Sequence, residues 1–401
     1  MTGILIVGGG QAGSTLAQTL RSEGYEGRVM VLGAEPVLPY ERPPLSKAYL
    51  MGEVEQERLY LRPAAIYEEW KIEMRLGTPV TGIDTATQTV TAGNETLGYD
   101  ELALCTGSVP NRLPAAIGGA LDGVFTVRSL ADIDRMKTRV SPGARVLVVG
   151  GGYIGLEAAA VASKLGLSVT VVEMSPRILS RVAAPETSDV IRAEHEAHGV
   201  RILEGCGLVR LTGEGHVNGA ELTDGSVLEI DFAIVGTGIR PDTALAEAAG
   251  IFCDNGIAVD EMGRTSAPHV WAAGDCASFP YKGGRMRLES VQNAIDQAQA
   301  VARNMLGANV PYVPHPWFWS DQYDLKLQIA GLGTGYDRIV VREGEGGRSH
   351  WYFKDGRLLA VDAIDAARDY MVGKRLLEMG RTVDPEAVAD ASTNLKALLK
   401  G

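Results

Sequence analysis

Cysteine is scarce in this 401-residue chain. Only Cys105, Cys206, Cys253 and Cys276 occur, and none lies within four residues of another. No Cys-x-x-Cys redox pair and no zinc-knuckle spacing is present. His195, His198, His216, His269, His315 and His350 show no metal-ligand spacing either. They read as surface or core residues, and no metal site is expected. Basic charge is also short. Thirty-eight Lys and Arg face 50 Asp and Glu, a net charge of −12. That excludes the overall basic footprint of a nucleic-acid binder. Long hydrophobic runs are missing too. Residues 1–20 carry no charge, but they hold five Gly, two Gln and several hydroxyl residues, without a basic leader. They make a poor membrane span and a poor signal peptide, so no membrane association and a cytoplasmic, reducing location are expected.

Apolar residues and glycine are plentiful. Hydrophobic residues make up 45 %, enough for a full core, and the length suggests two to three domains. Glycine occurs 49 times, well above the usual ~7 %, without a collagen-like period. These glycines should therefore serve turns and close backbone approaches.

The clearest signal is an internal repeat. Ile4-Leu5-Ile6-Val7 runs into Gly8-Gly9-Gly10-Gln11-Ala12-Gly13, and Val146-Leu147-Val148-Val149 runs into Gly150-Gly151-Gly152-Tyr153-Ile154-Gly155. Each copy is an apolar strand, then G-x-G-x-x-G, then a helical pattern. In such a device the first glycine makes the tight turn and the second admits a pyrophosphate. The third lets helix and strand pack closely. The helix N-terminus then offers free N–H groups and the positive end of its dipole to the phosphates. An acidic residue follows each copy after about 20 residues, Glu35 and Glu173, where a ribose hydroxyl is read. Two dinucleotide sites are expected. A carboxylate at Glu173 would repel a 2′-phosphate, and the next basic residue is Arg177, so the second site reads as one for NAD. The bland alternative is that Glu173 ends a strand in solvent.

Other segments carry weaker signals. Leu38–Lys47 holds three prolines, which predict an extended path, with Lys47 opening a helical stretch. Leu102–Cys105 and Val270–Ala273 read as buried strands, each ending in a glycine turn, at Thr106-Gly107 and Gly274-Asp275. Asp275 could cap the next segment or bond a cofactor hydroxyl. Ala233–Pro241 reads as a strand leaving one domain for another. Ser290 is a candidate N-cap for the helix that follows. The last 90 residues change character. Trp317 and Trp319 read by composition as core aromatics. Three strand-like runs follow, at 325–329, 338–342 and 350–353, then a turn at Lys354-Asp355-Gly356, a run at 358–361 and a helix near 366–379 stopped by Gly380. They predict a separate small α/β domain.

Together these residues resemble the FAD-dependent pyridine-nucleotide reductases over essentially the whole chain. Within them the chain is similar to the putidaredoxin-reductase-like, NADH-dependent ferredoxin reductases of bacterial oxygenase systems. The specific marks are Pro43-Pro44-Leu45-Ser46-Lys47, Thr106-Gly107, Gly150–Glu157, Gly274-Asp275 and Trp319-Ser320-Asp321-Gln322. The resemblance implies an α/β fold with two Rossmann-like dinucleotide-binding domains, arranged as in glutathione reductase, plus a C-terminal α/β domain. The expected division is an FAD domain split over 1–108 and 236–312, an NAD domain at 109–235 and a C-terminal domain at 313–401.

The resemblance also implies site residues. Gly8, Gly10, Ala12 and Gly13 would hold the FAD pyrophosphate, with Glu35 on the adenosine ribose. Arg42, Lys47, Val80, Thr106, Gly107, Arg128, Gly274, Asp275 and Val291 join the FAD set, and Trp319 matches an aromatic near the flavin. Gly150, Gly152, Ile154, Gly155, Glu157, Glu173, Arg181, Gly238 and Glu289 match positions around NADH. Counterparts of Lys47 and Glu157 form an ion pair beside the isoalloxazine ring, which makes these two the catalytic candidates. No Cys precedes Cys105, so the cysteine chemistry of disulfide reductases and peroxidases is not expected.

The implied activity is electron transfer from NADH through FAD to a [2Fe–2S] ferredoxin, which would serve a haem monooxygenase or a Rieske dioxygenase. Because the chain is acidic, docking an acidic ferredoxin would need a local basic patch; Lys282, Arg285 and Arg287, or Lys326, are candidates. A monomer or weak homodimer is expected. The rival readings are a rubredoxin reductase, a monodehydroascorbate-type reductase, and an apoptosis-inducing-factor-like protein that senses NADH.

Overall fold

A computed structural model describes residues 2–344 and 346–400. The chain forms two compact units. The first takes the residues up to Arg42, Glu55–Val109 and Ile239–His315. The second takes Pro43–Val54, Pro110–Gly238 and the residues from Pro316 onward.

The first unit is built on a five-stranded parallel sheet. Its order is Val270–Ala272, Glu101–Leu104, Ile4–Val7, Val29–Leu32 and Ile72–Arg75. Continuous apolar strands form here because both faces are covered. Ile4 and Ile6 point into one core with Leu16 and Leu20 of the helix Gln11–Ser22 and with Ala298 and Val301 of the helix Val291–Met305. Leu5 and Val7 point into the other, with Leu102, Leu104 and Val270. Ser290 caps the second helix, its side chain accepting from Asn293 N–H. A three-stranded antiparallel sheet, Val80–Asp84, Thr89–Ala92 and Glu95–Gly98, completes the unit's larger features.

The second unit repeats the plan. Its parallel sheet runs Val124–Thr126, Phe232–Val235, Arg145–Val149, Ser168–Glu173, Arg201–Glu204. In both sheets the strand entering the Gly-rich loop is central, and the strand after the loop helix lies beside it. The sequence repeat is therefore a repeat of topology.

The C-terminal segment forms an antiparallel sheet in the order Trp317–Gln322, Leu325–Gly331, Arg357–Ile364, Gly347–Lys354 and Arg338–Gly344, with the helix Ala367–Glu378 packed on it. Gly380 follows with φ +63°, which stops that helix as its residue type predicts. The segment belongs to the same unit as the second parallel sheet. Leu325, Leu327 and Ile364 share one core with Leu156 of the second loop helix and Ile178, Leu179 and Ile191. The three-domain division remains a proposal. Among the described residues no helix is long and apolar enough to cross a membrane.

Candidate active site

The two Gly-rich loops have the same construction. A Cβ on Gly13 would drive into the carbonyl oxygen of Gly8, and one on Gly155 into that of Gly150, so these glycines are required by the fold itself. Gly10 and Gly152 differ: a Cβ there would meet nothing within 4 Å. These two residues are also the N-caps of the helices Gln11–Ser22 and Tyr153–Lys164, and neither helix has a side-chain cap. Each loop thus presents uncapped backbone N–H groups towards open space. That is the cradle a pyrophosphate requires, and the residues fit two dinucleotides.

In the first unit, Glu35 accepts from Tyr40 Oη at 2.6 Å and from Arg42 Nη2 at 2.7 Å. Sequence reading placed Arg42 in the cofactor set without finding this pair. Thr106 Oγ1 donates to Asp242 O at 2.6 Å, and Ser108 Oγ donates to Asp275 Oδ2 at 2.9 Å. Gly274 turns the chain at φ +85°, against Ala12 of the loop helix, and its N–H donates to Gln297 Oε1. Asp275 precedes a strand, Ala277–Tyr281, so it does not cap a helix. Val80 opens its strand opposite Ala92, and Val291 is the first residue of its helix. Glu289 pairs with Arg287 at 2.5 Å. Cys105 and Cys276 are buried and free, and burial pushes both thiols up, which leaves them unreactive at neutral pH.

In the second unit, Glu173 ends its strand but does not stand free. Its carboxylate accepts from Gly151 N–H and Ser175 N–H, both at 2.7 Å, and so braces the loop. Arg177 is tied inward to Ser188 Oγ and to the carbonyls of Ile178 and Ala183. Arg181 lies over Gly238, where a Cβ would meet its guanidinium at 3.7 Å. Ile154 is exposed beside the loop. Arg128 precedes Ser129, which closes a capping box with Asp132.

Lys47 and Glu157 meet in this unit. Lys47 Nζ donates to Glu157 Oε2 at 2.6 Å. Ser320 Oγ donates to the other oxygen at 2.8 Å, and Ser46 Oγ to Oε2 at 3.4 Å. The side chain of Glu157 is 3 % exposed and that of Lys47 20 %. Burial pushes the Glu157 carboxyl up, and Lys47 and Ser320 oppose that shift. Gly155 draws the helix against its strand, which sets Glu157 two residues on at the buried end. Trp317–Gln322 packs against that helix. No role for Ser320 or Ser46 was read from the sequence, although both sit inside its marked segments.

Three expectations are corrected. Lys47 does not open a helix: Pro43–Ser46 is a 3₁₀ turn, closed by Lys47 N–H to Pro44 O. Prolines at the first two positions fix φ in the helical range and need no N–H there. Trp317 and Trp319 are half-buried and tilted against each other, not core residues. Arg285 and Arg287 are bound to backbone carbonyls of Val259, Ser278, Asn255 and Asp275, so they are poorly placed to serve as free docking cations. The residues sort unevenly as well. Lys47, Arg128 and Trp319 lie in the second unit and Glu289 in the first.

Comparison with known proteins agrees with this geometry. The sequence profile described as pyridine nucleotide-disulphide oxidoreductase matches residues 2–298, and that described as reductase C-terminal matches 317–399. The chain is 43 % identical to the 5,5′-dehydrodivanillate O-demethylase ferredoxin reductase subunit of a Sphingobium species, covering 98 % of this chain and 97 % of that protein. It is 38 % identical to putidaredoxin reductase of Pseudomonas putida, covering 99 % and 96 %. A crystal structure of the covalent putidaredoxin reductase–putidaredoxin complex superposes with a TM-score of 0.95 at 37 % identity, over 100 % of this chain and 98 % of that one. A ferredoxin reductase from Rhodopseudomonas palustris gives 0.95 at 38 %, over the whole of both chains. Similarity of this extent, over both Gly-rich loops and the C-terminal sheet, means that the chain belongs to the pyridine nucleotide-disulphide oxidoreductase family.

Proposed function

We propose that this protein is an FAD-dependent NADH:ferredoxin oxidoreductase. It passes electrons from NADH to a [2Fe–2S] ferredoxin that serves a haem monooxygenase or a Rieske dioxygenase, and it works in the cytoplasm. The observation that carries the dinucleotide reading is the pair of open, uncapped loop glycines, Gly10 and Gly152. The ferredoxin reading is supported by the relatives, which are named as ferredoxin, putidaredoxin and rhodocoxin reductases. The four free cysteines support the reducing compartment.

The first loop, with Glu35 and Asp275, is the proposed seat of FAD, and the second, with Glu173, that of NADH. Bound there, FAD would supply the hydride acceptor and the release of electrons one at a time. The chain's own part is positioning and electrostatics. Glu173 is held against the second loop, while Arg177 is committed elsewhere, which favours NADH over NADPH. Glu157 holds Lys47 in one place, with Nζ directed at the buried carboxylate. We assign this pair the tuning of flavin reduction and the shaping of the nicotinamide site. Steady-state NADH oxidation tests the reading. Turnover should rise on adding a [2Fe–2S] ferredoxin, and NADPH should support a much lower rate. A rate that is indifferent to ferredoxin but driven by a small organic radical would refute it.

A further inference from the structure

Ser320, which holds one oxygen of Glu157, is itself held. Its Oγ lies 3.1 Å from Gln322 Nε2, and Gln322 Oε1 lies 2.7 Å from His195 Nε2. Glu157, Ser320, Gln322 and His195 are all buried, none more than 3 % exposed. On the other side of the imidazole, Nδ1 lies 3.2 Å from the Tyr323 hydroxyl, and the Tyr323 ring stacks on the exposed His198. An unbroken string of hydrogen bonds therefore runs from the surface of the second unit to the Lys47–Glu157 pair. Nothing described so far uses its outer half.

Hydrogen counting fixes the direction of each bond. An ionised carboxylate only accepts, so the single hydroxyl hydrogen of Ser320 goes to Glu157 Oε1. Ser320 Oγ must then accept from Gln322, which turns the amide nitrogen towards Ser320 and the amide oxygen towards His195. His195 Nε2 must then carry a hydrogen. In the neutral ring, Nδ1 is left to accept from Tyr323 Oη. A carboxylate at Glu157 thus dictates the tautomer of a histidine two side chains away, and the histidine in turn favours the carboxylate.

We propose that His195 is a positioning residue for flavin reduction, acting through Gln322 and Ser320 to keep Glu157 ionised and directed at Lys47. This rests on the role assigned above to Lys47 and Glu157. Other groups facing Glu157 are Ser46 from the 3₁₀ turn and Asp321 from the strand of Ser320, the latter opposing its charge. Those facing His195 are Gln322 and Tyr323, with His198 from the end of its own helix, itself 3.5 Å from Glu194. If the string is broken at His195, the Gln322 oxygen is left buried without a donor and Ser320 loses its fixed orientation. Glu157 then takes a proton at higher pH and releases Lys47.

Two measurements test this. Side-chain ¹⁵N NMR of the full-length holoprotein reports the His195 tautomer: hydrogen on Nε2 is expected, with a change in Glu157→Gln, and hydrogen on Nδ1 would overturn the proposal. Anaerobic stopped-flow bleaching of the flavin by NADH, followed over pH, reads the consequence. His195→Leu and Gln322→Leu should be about tenfold slower near neutral pH, the weight of one hydrogen bond, with the acid limb moved to higher pH. His195→Gln, which keeps an N–H at the Nε2 position, should recover most of the rate. Wild-type rates in both Leu variants, or a His195→Gln as slow as His195→Leu, would overturn it. If the Leu variants do not fold, Ser320→Ala must show the same shift of the acid limb, and its absence is equally decisive. A wild-type flavin that NADH does not bleach would sink the reductase reading instead, and would do so before any variant is compared.

Discussion

At the scale of single residues, the Lys47–Glu157 pair is asymmetric, and its two deletions should differ. Glu157 is almost fully buried, whereas Lys47 keeps a fifth of its side chain in contact with solvent. Lys47→Met strands a carboxylate that cannot reach water, so the carboxyl is driven further up, at a cost of about 3 kcal/mol in holoprotein denaturation. Glu157→Gln leaves an ammonium that can turn to solvent and should cost about 1 kcal/mol. Both should slow flavin bleaching by NADH, and wild-type bleaching in Lys47→Ala would end the assigned role. The loop glycines divide in the same way. Gly13→Ala and Gly155→Ala collide with backbone and should destabilise the fold. Gly10→Ala and Gly152→Ala meet only empty space, so the apoprotein should lose only the small penalty of Ala at an N-cap, while flavin retention (Gly10) or NADH affinity (Gly152) falls. Equal losses of fold stability at all four positions would argue against a ligand reason for the second glycine.

At the scale of elements, two buried titratable groups face each other across adjacent strands. Thr187 Oγ1 donates to Asp362 at 2.8 Å and accepts from His350 Nδ1 at 2.7 Å, and Tyr352 also donates to Asp362. Burial pushes Asp362 up to about 6 and His350 down to about 4. Between the ordinary Asp range and about 6, the folded state holds the extra proton at Asp362, so that group lowers stability as pH rises. Between about 4 and the ordinary His range, the unfolded state holds the extra proton at His350, so that group raises stability as pH rises. The two slopes oppose each other. Asp362→Asn should therefore leave a protein that loses about 3 kcal/mol more than wild type on acidification through this window, and His350→Gln one that gains a similar amount. Urea midpoints at several pH values read both, and unchanged pH slopes would contradict the assignment.

The same scale shows what the sequence could reveal. Ile4–Val7 and Val146–Val149 were legible because a strand buried on both faces must be apolar throughout and a Gly-rich loop must follow it. Ser290 was legible because capping is local. Trp317–Gln322 was not read as a strand, since its alternation mixes two half-exposed tryptophans with buried Ser320 and Gln322. Those polar residues face inward only because Glu157 and His195, far away in sequence, supply their partners. The proline segment was misread because paired prolines suit a 3₁₀ turn as well as an extended path.

At the scale of the whole molecule, the net charge of −12 makes approach to an acidic partner unfavourable, and added salt should weaken that penalty. Nucleotide choice is also a whole-site property. Glu173 is held by the loop it guards, so Glu173→Ser should cost NADH affinity as well as relax discrimination against NADPH; relaxed discrimination alone would show that the brace is unimportant. The central claim is that two electrons enter from NADH and leave singly to an iron–sulfur protein. Anaerobic titration of the yellow holoprotein with NADH, followed by stopped-flow mixing with an oxidised [2Fe–2S] ferredoxin, tests it most directly. The account predicts rapid bleaching of the flavin, then fast one-electron reduction of the ferredoxin as the flavin colour returns. A protein that carries no flavin, or a bleached flavin that no [2Fe–2S] ferredoxin reoxidises, would contradict it.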